Sequence, residues 1–247
     1  VNFRASKDQS GNLNCPGAVC KAAVTYVLRC LIKKDLPLNE GFMEAVEINI
    51  QDGSMLDPKP GAAVVGGNVE TSQRLVDLLL AAFQISAAGP GTMNNLCFGI
   101  ENDECGQYYE TIGSGSGAFH DGDGLRGRQC HMTNTKITDV EILEKRFPYV
   151  EISQFSYRKH SGGDGRFRGG DGLVREFLFK RACQLSILSE RRQAGAFGLK
   201  GGKNGEAGIN LLISPDGEKI KLPGKYQTTL LANQKLRIST PGGGGYG

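Results

Sequence analysis

The sequence lacks the motifs that would most directly indicate a metal centre. Its 247 residues include no tryptophan and only three histidines, and His120, His131 and His160 show neither i, i+4 spacing nor an HExxH motif. The seven cysteines contain no CxxC pair and fit no zinc-knuckle spacing. These absences exclude the common zinc motifs, and we predict no metal site within the chain.

Signatures of nucleotide binding, membrane insertion and secretion are also missing. The chain has no GxxxxGK[ST] motif, and no helical pattern follows the glycine-rich stretch at 113–118, as a Rossmann fold requires. It contains no apolar run of about 18 residues and no signal peptide, and its odd number of cysteines fits free thiols in a reducing compartment. We therefore expect a cytoplasmic protein without a Walker-type ATP site. The net charge of +3 and one short basic stretch at 158–170 do not indicate a nucleic-acid-binding face.

Glycine is abundant instead, with 36 residues, about twice the usual share of ~7%. Such a density predicts many tight turns and unusual backbone angles. Three Gly-Asp-Gly triplets, at 122–124, 163–165 and 170–172, are predicted to form hairpin turns, because Asp-Gly is a strong turn signal.

Hydrophobic periodicity predicts an α+β fold. One helix should begin at Pro16, a second after Thr71-Ser72, and a third should run from about Asp139 to Arg146 with Thr138 and Glu141 as a capping box. Short alternating runs predict strands separated by glycine turns, at 46–50, 155–159, 173–179, 184–190, 209–214 and 235–239. We expect a mixed helix and strand portion over 1–150 and a β-rich portion over 151–247, within two domains or one continuous domain.

A series of ordered sequence blocks resembles the hydantoinase B/5-oxoprolinase family over essentially the whole chain. The blocks include GNVETSQRLVDLLLAA, GTMNNLCFG, YYETIGSGSGA, HMTNTKITDVEILEKRFP, SGGDGRFRGGDGLVRE, SERR and the closing TPGGGGYG. Within the family, the HMTNTK block favours the ATP-dependent 5-oxoprolinases over acetone carboxylases and N-methylhydantoinases.

The resemblance implies an ATP-dependent lactam hydrolase that opens 5-oxo-L-proline to L-glutamate. It also implies ATP and Mg²⁺ as cofactors, a kinase-like hydantoinase A module as partner, and a homo-oligomeric full enzyme. The chain begins with Val1 and lacks the upstream Asp- and His-rich blocks of the family, so we expect the C-terminal portion of a longer polypeptide that is inactive alone. The alternatives are a related hydantoinase or acetone carboxylase subunit, or a non-catalytic scaffold that docks the kinase-like module.

Several polar residues in these blocks are candidates for the site. We expect Glu110, His131 and Glu70 as catalytic groups and Asn94, Asn95, Thr92 and Asn134 as substrate-binding groups. Each has a structural alternative: His131 could bind a loop carbonyl, Asn134 could cap a helix, and Glu70 could complement a helix dipole. A carboxylate beside two tyrosines, as in Glu110, could have a raised pKa and act as a base.

Overall fold

The computed structural model describes residues 1–32, 34–35, 37 and 39–247, and these residues form an α+β fold, as the sequence predicts. The helices in the described residues are α1, Gly17–Leu31; α2, Ser72–Ala82; and α3, Val140–Arg146. A 3₁₀ turn at Glu40–Met43 follows α1, and a π-helical turn at Gly67–Thr71 leads directly into α2. No helix in this part of the chain is long and apolar enough to cross a membrane.

The described strands form one parallel pair and two larger antiparallel sheets. They are β1, Asn2–Phe3; β2, Asn49–Ile50; β3, Asn95–Gly99; β4, Gln107–Thr111; β5, Val150–Arg158; β6, Gly172–Phe179; β7, Cys183–Leu188; β8, Ile209–Ile213; β9, Lys219–Leu222; β10, Lys225–Leu230; and β11, Gln234–Ser239. β1 pairs with β2, the four-stranded sheet has the order β10-β7-β3-β4, and the five-stranded sheet has the order β5-β6-β11-β8-β9. The predicted strands of the second half are confirmed, whereas the predicted strand at 46–50 is limited to its last two residues.

Two apolar cores stabilise the chain. The smaller lies between α1 and α2, where Ala23, Val27, Val76 and Leu80 are buried. The larger is shared by the two big sheets and α3, and Phe98 lies at its centre, 5.3 Å from Phe179 between ring centroids. The antiparallel pairing of β3 with β7 joins the two sides of residue 150, which favours one continuous domain over a division there. The division at residue 150 itself stays a prediction.

The buried face of α2 differs from the face that its apolar residues predict. The spacing of Leu75, Leu78, Leu79, Ala82 and Phe83 predicts one buried stripe for this helix, and Leu75 and Leu79 are indeed buried. Leu78 and, directly after the helix, Phe83 are instead about half exposed, whereas Val76 and the acidic Asp77 are buried. The helix buries these positions because it packs on α1 and also against polar loops that meet the Asp77 side.

The predicted capping box at α3 is wrong. The helix begins at Val140, its N-cap residue is Asp139, and no side-chain hydrogen bond caps it. Thr138 therefore lies before the cap, where its carbonyl accepts a hydrogen bond from the buried Arg175 guanidinium (3.4 Å).

Many glycines serve close backbone packing, so the prediction that they mostly form turns is wrong for these positions. Extended segments cross at Gly115, Gly170 and Gly243, where the Gly170 N–H donates to the Ser116 carbonyl (2.9 Å) and the Gly243 N–H donates to the Gly170 carbonyl (3.0 Å). A Cβ on Gly243 would overlap the Ser116 carbonyl, and φ is not positive there. The triplet at 170–172 leads into β6 and forms no hairpin turn.

Candidate functional site

A cleft of about 1130 Å³ opens beside the crossing glycine segments. Its wall is built from the chain around residues 113–137, from the outer strand β5 and from Tyr26 of α1. The polar and charged side chains that line it include Arg128, Gln129, His131, Asn134, Thr135, Lys136 and Lys159. Two residues predicted for the site, His131 and Asn134, therefore share one concave surface.

His131 forms a carboxylate–histidine pair with Asp77 of α2. The Nε2 atom lies 2.8 Å from Oδ1 of Asp77, whose side chain is completely buried, whereas the His131 side chain is 13% exposed at the cleft. His131 adopts a positive φ of 57°, a left-handed conformation that is uncommon outside glycine. The backbone thus holds the imidazole at a fixed place between the helix and the cleft.

Asp77 is held in its ionised form by three donors. The Gly89 N–H donates to Oδ1 (2.8 Å) and Nη2 of Arg191 donates to Oδ2 (3.1 Å), in addition to the contact with His131. Burial by itself would raise the pKa of Asp77, but the hydrogen bonds and the positive charge of Arg191 outweigh it and hold the pKa below its usual value. A charged carboxylate accepts hydrogen bonds only, so Nε2 of His131 donates to Asp77, and Nδ1 is the ring nitrogen left for other contacts.

Arg191 is fixed around Asp77 by its own contacts. Its Nη1 donates to the Gly195 carbonyl (3.0 Å), and its guanidinium carbon lies 5.7 Å from the centroid of the Phe197 ring. Gly91 leaves room for this arrangement, because a Cβ there would lie 3.1 Å from Oδ2 of Asp77 and 3.2 Å from Nε of Arg191. The buried ion pair of Asp77 and Arg191 is therefore closely packed against Gly91 and Phe197.

Glu70 lies in a separate buried network. Its Oε1 accepts hydrogen bonds from Nδ2 of Asn95 (2.7 Å) and from the Met93 N–H (3.2 Å), while Oε2 has no hydrogen-bond partner among the described residues. Burial raises the pKa of Glu70 to about 8, against the opposing effects of the Thr92 hydroxyl, the Met93 N–H and Arg192. The structure thus places a carboxyl group that can be neutral near pH 7 at the π-helical turn, away from the cleft.

The residues predicted to bind substrate around position 94 are engaged with the protein itself. Nδ2 of Asn94 donates to the Ile112 carbonyl (3.0 Å) and to Ser114 Oγ (2.8 Å), and Oδ1 accepts from Nη2 of Arg192 (2.9 Å). Arg192 is almost fully buried, and burial lowers its pKa to about 10. Asn94 therefore anchors a buried arginine and does not line the cleft.

Thr92 and Asn95 complete this network. Oγ1 of Thr92 accepts hydrogen bonds from the Asn94 N–H (3.0 Å) and the Glu190 N–H (3.2 Å). Oδ1 of Asn95 accepts a hydrogen bond from the Tyr109 hydroxyl (2.7 Å). Asn95 and Tyr109 line a second cleft of about 600 Å³. None of Thr92, Asn94 and Asn95 lines the larger cleft. The predicted substrate-binding roles of these three residues stay predictions.

Glu110 is buried in an ion pair. Its Oε1 lies 2.9 Å from Nε of the fully buried Arg175, and its Oε2 accepts from the Tyr108 hydroxyl (2.7 Å). Burial raises the pKa of Glu110, while Arg175 and the Tyr108 hydroxyl oppose that rise. This geometry gives Glu110 a structural partner on each oxygen, and its role as a base stays a prediction.

Asp77 and Arg191 are the members of the site that sequence reasoning missed. A usable signal was present, because Asp77 stands between the apolar residues Val76 and Leu79 of a core-facing helix, where a charge requires a partner. The double arginine of the SERR block supplied that partner, but the spacing of 114 residues concealed it.

No three His, Cys, Asp or Glu side chains come together as a metal site among the described residues. Because Mg²⁺ often binds through one or two carboxylates with waters and phosphates as its other ligands, the Mg²⁺ ion implied by the resemblance stays a prediction.

Comparison with known proteins places the chain in a family. The family model described as "Hydantoinase B/oxoprolinase" matches residues 1–247. Over 242 residues the chain is 52% identical to 5-oxoprolinase 1 of Arabidopsis thaliana, and over 237 residues it is 48% identical to the 5-oxoprolinase of Dictyostelium discoideum. These alignments cover 98% and 96% of the chain but only 19% and 18% of the relatives, so the chain spans about one fifth of their length.

Solved structures share the fold at lower sequence identity. The ATP-dependent caprolactamase from Pseudomonas jessenii superposes with a TM-score of 0.80 at 23% identity, over 98% of this chain and 45% of that one. A nucleotide-free acetone carboxylase superposes with a TM-score of 0.83 at 15% identity, over 100% of this chain and 39% of that one. At these identities the likeness concerns the fold alone.

Proposed function

The chain belongs to the hydantoinase B/oxoprolinase family, and from that premise we propose that it is the C-terminal portion of an ATP-dependent 5-oxoprolinase. The proposed reaction opens the lactam ring of 5-oxo-L-proline to L-glutamate. The identities of 52% and 48% to proteins named as 5-oxoprolinases support this choice over a carboxylase, since the acetone carboxylase resembles the chain only in fold.

The chemistry divides between activation and ring opening. A lactam carbonyl is a poor electrophile, so ATP-driven activation is assigned to a separate kinase-like hydantoinase A module, which would act as the partner of this portion. The sequence contains no Walker loop, and no step proposed for the described residues involves ATP or Mg²⁺. Ring opening then requires water, a base for its proton and a pocket for the ring.

The Asp77–His131 pair is the observation that carries the proposal. Because Asp77 accepts the Nε2 proton, Nδ1 of His131 can take a proton from a water molecule that attacks the activated carbonyl carbon. As the C–N bond of the ring breaks, the imidazolium returns the proton to the ring nitrogen, which becomes the free amine. The phosphate added to the carbonyl oxygen during activation stays on the new acyl group, and a second water molecule then releases it as inorganic phosphate and leaves the carboxylate of glutamate. Asp77 would orient the ring and stabilise the imidazolium in between, which is the role of the carboxylate in serine hydrolase triads. The Asn134 amide lies on the same cleft and is proposed to contact the substrate.

The test uses the full-length enzyme in which we propose this chain to reside. We expect His131→Asn to reduce glutamate release from 5-oxoproline by on the order of a hundredfold or more, the usual effect of a general base. His120→Asn is the matched control, because the His120 side chain is 59% exposed and lies outside the cleft.

ATP hydrolysis and thermal unfolding are measured alongside, because activation should not depend on His131. If His131→Asn folds normally and releases glutamate within about threefold of wild type, well short of the effect expected for a base, the pair is not the base. A wild-type enzyme that releases no glutamate from 5-oxoproline would reject the proposed reaction itself.

A further inference from the structure

We propose that Arg128, Lys136 and Lys159 select the substrate by its negative charge, so that the cleft accepts a lactam bearing a carboxylate and discriminates against neutral lactams. This inference rests on the proposed function, because the cleft is the one that His131 borders. It concerns three residues that the mechanism above does not use.

The charge distribution of the cleft is one-sided. Among the described residues that line it, Arg128, Lys136 and Lys159 are cationic and none is acidic. None of the three forms an ion pair with a described residue, whereas Lys21, Lys180 and Lys225 elsewhere on the surface each lie within 3.0 Å of a carboxylate. Three unneutralised cations around one concave surface produce a positive potential that attracts anions and is strengthened by the low-dielectric walls.

The same surface also offers an apolar contact area. Phe155 and Tyr157 project from β5 and remain 44% and 55% exposed, and the neighbouring Leu125 is 54% exposed. Exposed apolar residues collected in a cleft indicate a ligand with an apolar body.

Neighbouring residues hold Phe155 and Tyr157, the aromatic wall of the cleft, in place. Gly127, with φ of 56°, allows the close approach of Tyr157, since a Cβ there would lie 3.1 Å from Cε1 of that ring. Phe155 stacks against the buried Arg175, whose guanidinium carbon lies 4.9 Å from the ring centroid. The wall is therefore a preformed surface for a small ring.

Neutral polar groups also line the cleft. Nε2 of Gln129 donates to Thr111 Oγ1 (2.8 Å), and Thr111 in turn contacts Thr135. Gln129 and Thr135, together with Asn134 and His131, line the cleft and can bind the lactam N–H and C=O. An apolar ring, an amide and one negative charge match 5-oxoproline, whereas 2-pyrrolidinone has the same ring and amide without the charge.

An anion could reach the cations as the substrate's carboxylate or as a phosphate group added during activation. Arginine binds both, so the experiment separates the two sources. Arg128→Gln and Lys159→Gln are made in the full-length enzyme, and Lys219→Gln, an exposed lysine of β9 outside the cleft, is the matched control. Initial rates are measured with 5-oxoproline, with 2-pyrrolidinone as competitor and with inorganic phosphate as inhibitor.

We expect Arg128→Gln and Lys159→Gln each to raise KM for 5-oxoproline by roughly tenfold, the effect of losing one charged hydrogen bond. Their kcat should stay within about threefold of wild type, because activation and His131 are untouched. Inhibition by neutral 2-pyrrolidinone should not change, and Lys219→Gln should resemble wild type throughout.

Two outcomes would overturn the inference. Unchanged KM in both cleft variants, with the wild-type enzyme active, would show that the cations do not contact the substrate. Weaker phosphate inhibition together with unchanged KM would assign the cations to a phosphate group and remove the carboxylate. An inactive wild-type enzyme would instead reject the proposed function, so the two failures are distinguishable.

Discussion

Replacement of Glu70 by glutamine should change how the stability of the chain depends on pH. Glu70 is 1% exposed, its Oε2 lacks a hydrogen-bond partner in the part of the chain that the structure describes, and burial raises its pKa to about 8 from an ordinary value of 4.5. In the unfolded chain the carboxyl group is hydrated and ionises near its ordinary pKa. Between these two values the folded state retains a proton that the unfolded state releases.

The sign and the size of the effect follow from this difference. Because the folded state binds more protons, the free energy of unfolding falls as pH rises from about 4.5 to about 8, and the contribution of Glu70 is fully present only below that range. At about 1.4 kcal/mol for each pH unit, the full loss amounts to roughly 4–5 kcal/mol. Glutamine resembles the protonated acid and does not titrate, so the variant should avoid this loss.

Urea unfolding of wild type and Glu70→Gln at pH 5 and at pH 8.5 tests the prediction. The free energy of unfolding of the variant, relative to wild type, should increase by several kcal/mol between these pH values. Glu141→Gln is the matched control, because Glu141 is exposed on α3 and its carboxyl group is hydrated in both states. A difference between Glu70→Gln and wild type that does not vary with pH would refute the reasoning.

Two further predictions concern packing. Glu110→Gln should lower the free energy of unfolding by roughly 3 kcal/mol, because it leaves the fully buried Arg175 without its counter-charge; urea unfolding with no loss would show that Arg175 is neutralised otherwise. Gly243→Ala should destabilise the chain by roughly 3 kcal/mol or more, because its Cβ would overlap the Ser116 carbonyl within a fixed backbone crossing. Gly122→Ala, with nothing within 4 Å of its Cβ, should stay within about 0.5 kcal/mol of wild type, and equal thermal unfolding of the two variants would contradict the packing argument.

The sequence predicted the α+β class and five of the seven described strands of the second half, because their apolar alternation is local and glycines mark their ends. It missed β9 and β10. It did not predict β3 and β4, whose residues Asn95–Gly99 and Gln107–Thr111 belong to polar blocks that we interpreted as site motifs. Their place in the sheet depends on β7, with Asn95 opposite Leu188, and such distant pairing leaves no local pattern. The close backbone crossings could not be predicted from the sequence either, because glycine favours turns and close backbone contacts alike.

The candidate site shows a more specific limit of periodicity. A pattern of apolar residues assigns each helix one buried face. On that basis Asp77 of α2 is a polar residue with no indication of burial. Burying a carboxylate is costly unless cations and N–H donors surround it, so its burial requires the contacts of His131, Arg191 and Gly89 that the structure contains. The sequence could have indicated that an acid beside core residues needs a partner, but it could not select among three histidines and many arginines. Asp77, whose burial the apolar periodicity does not explain, is thus the residue that holds the imidazole of His131 at the cleft. A charged residue beside the apolar positions of a helix is therefore informative about the chemistry of a site.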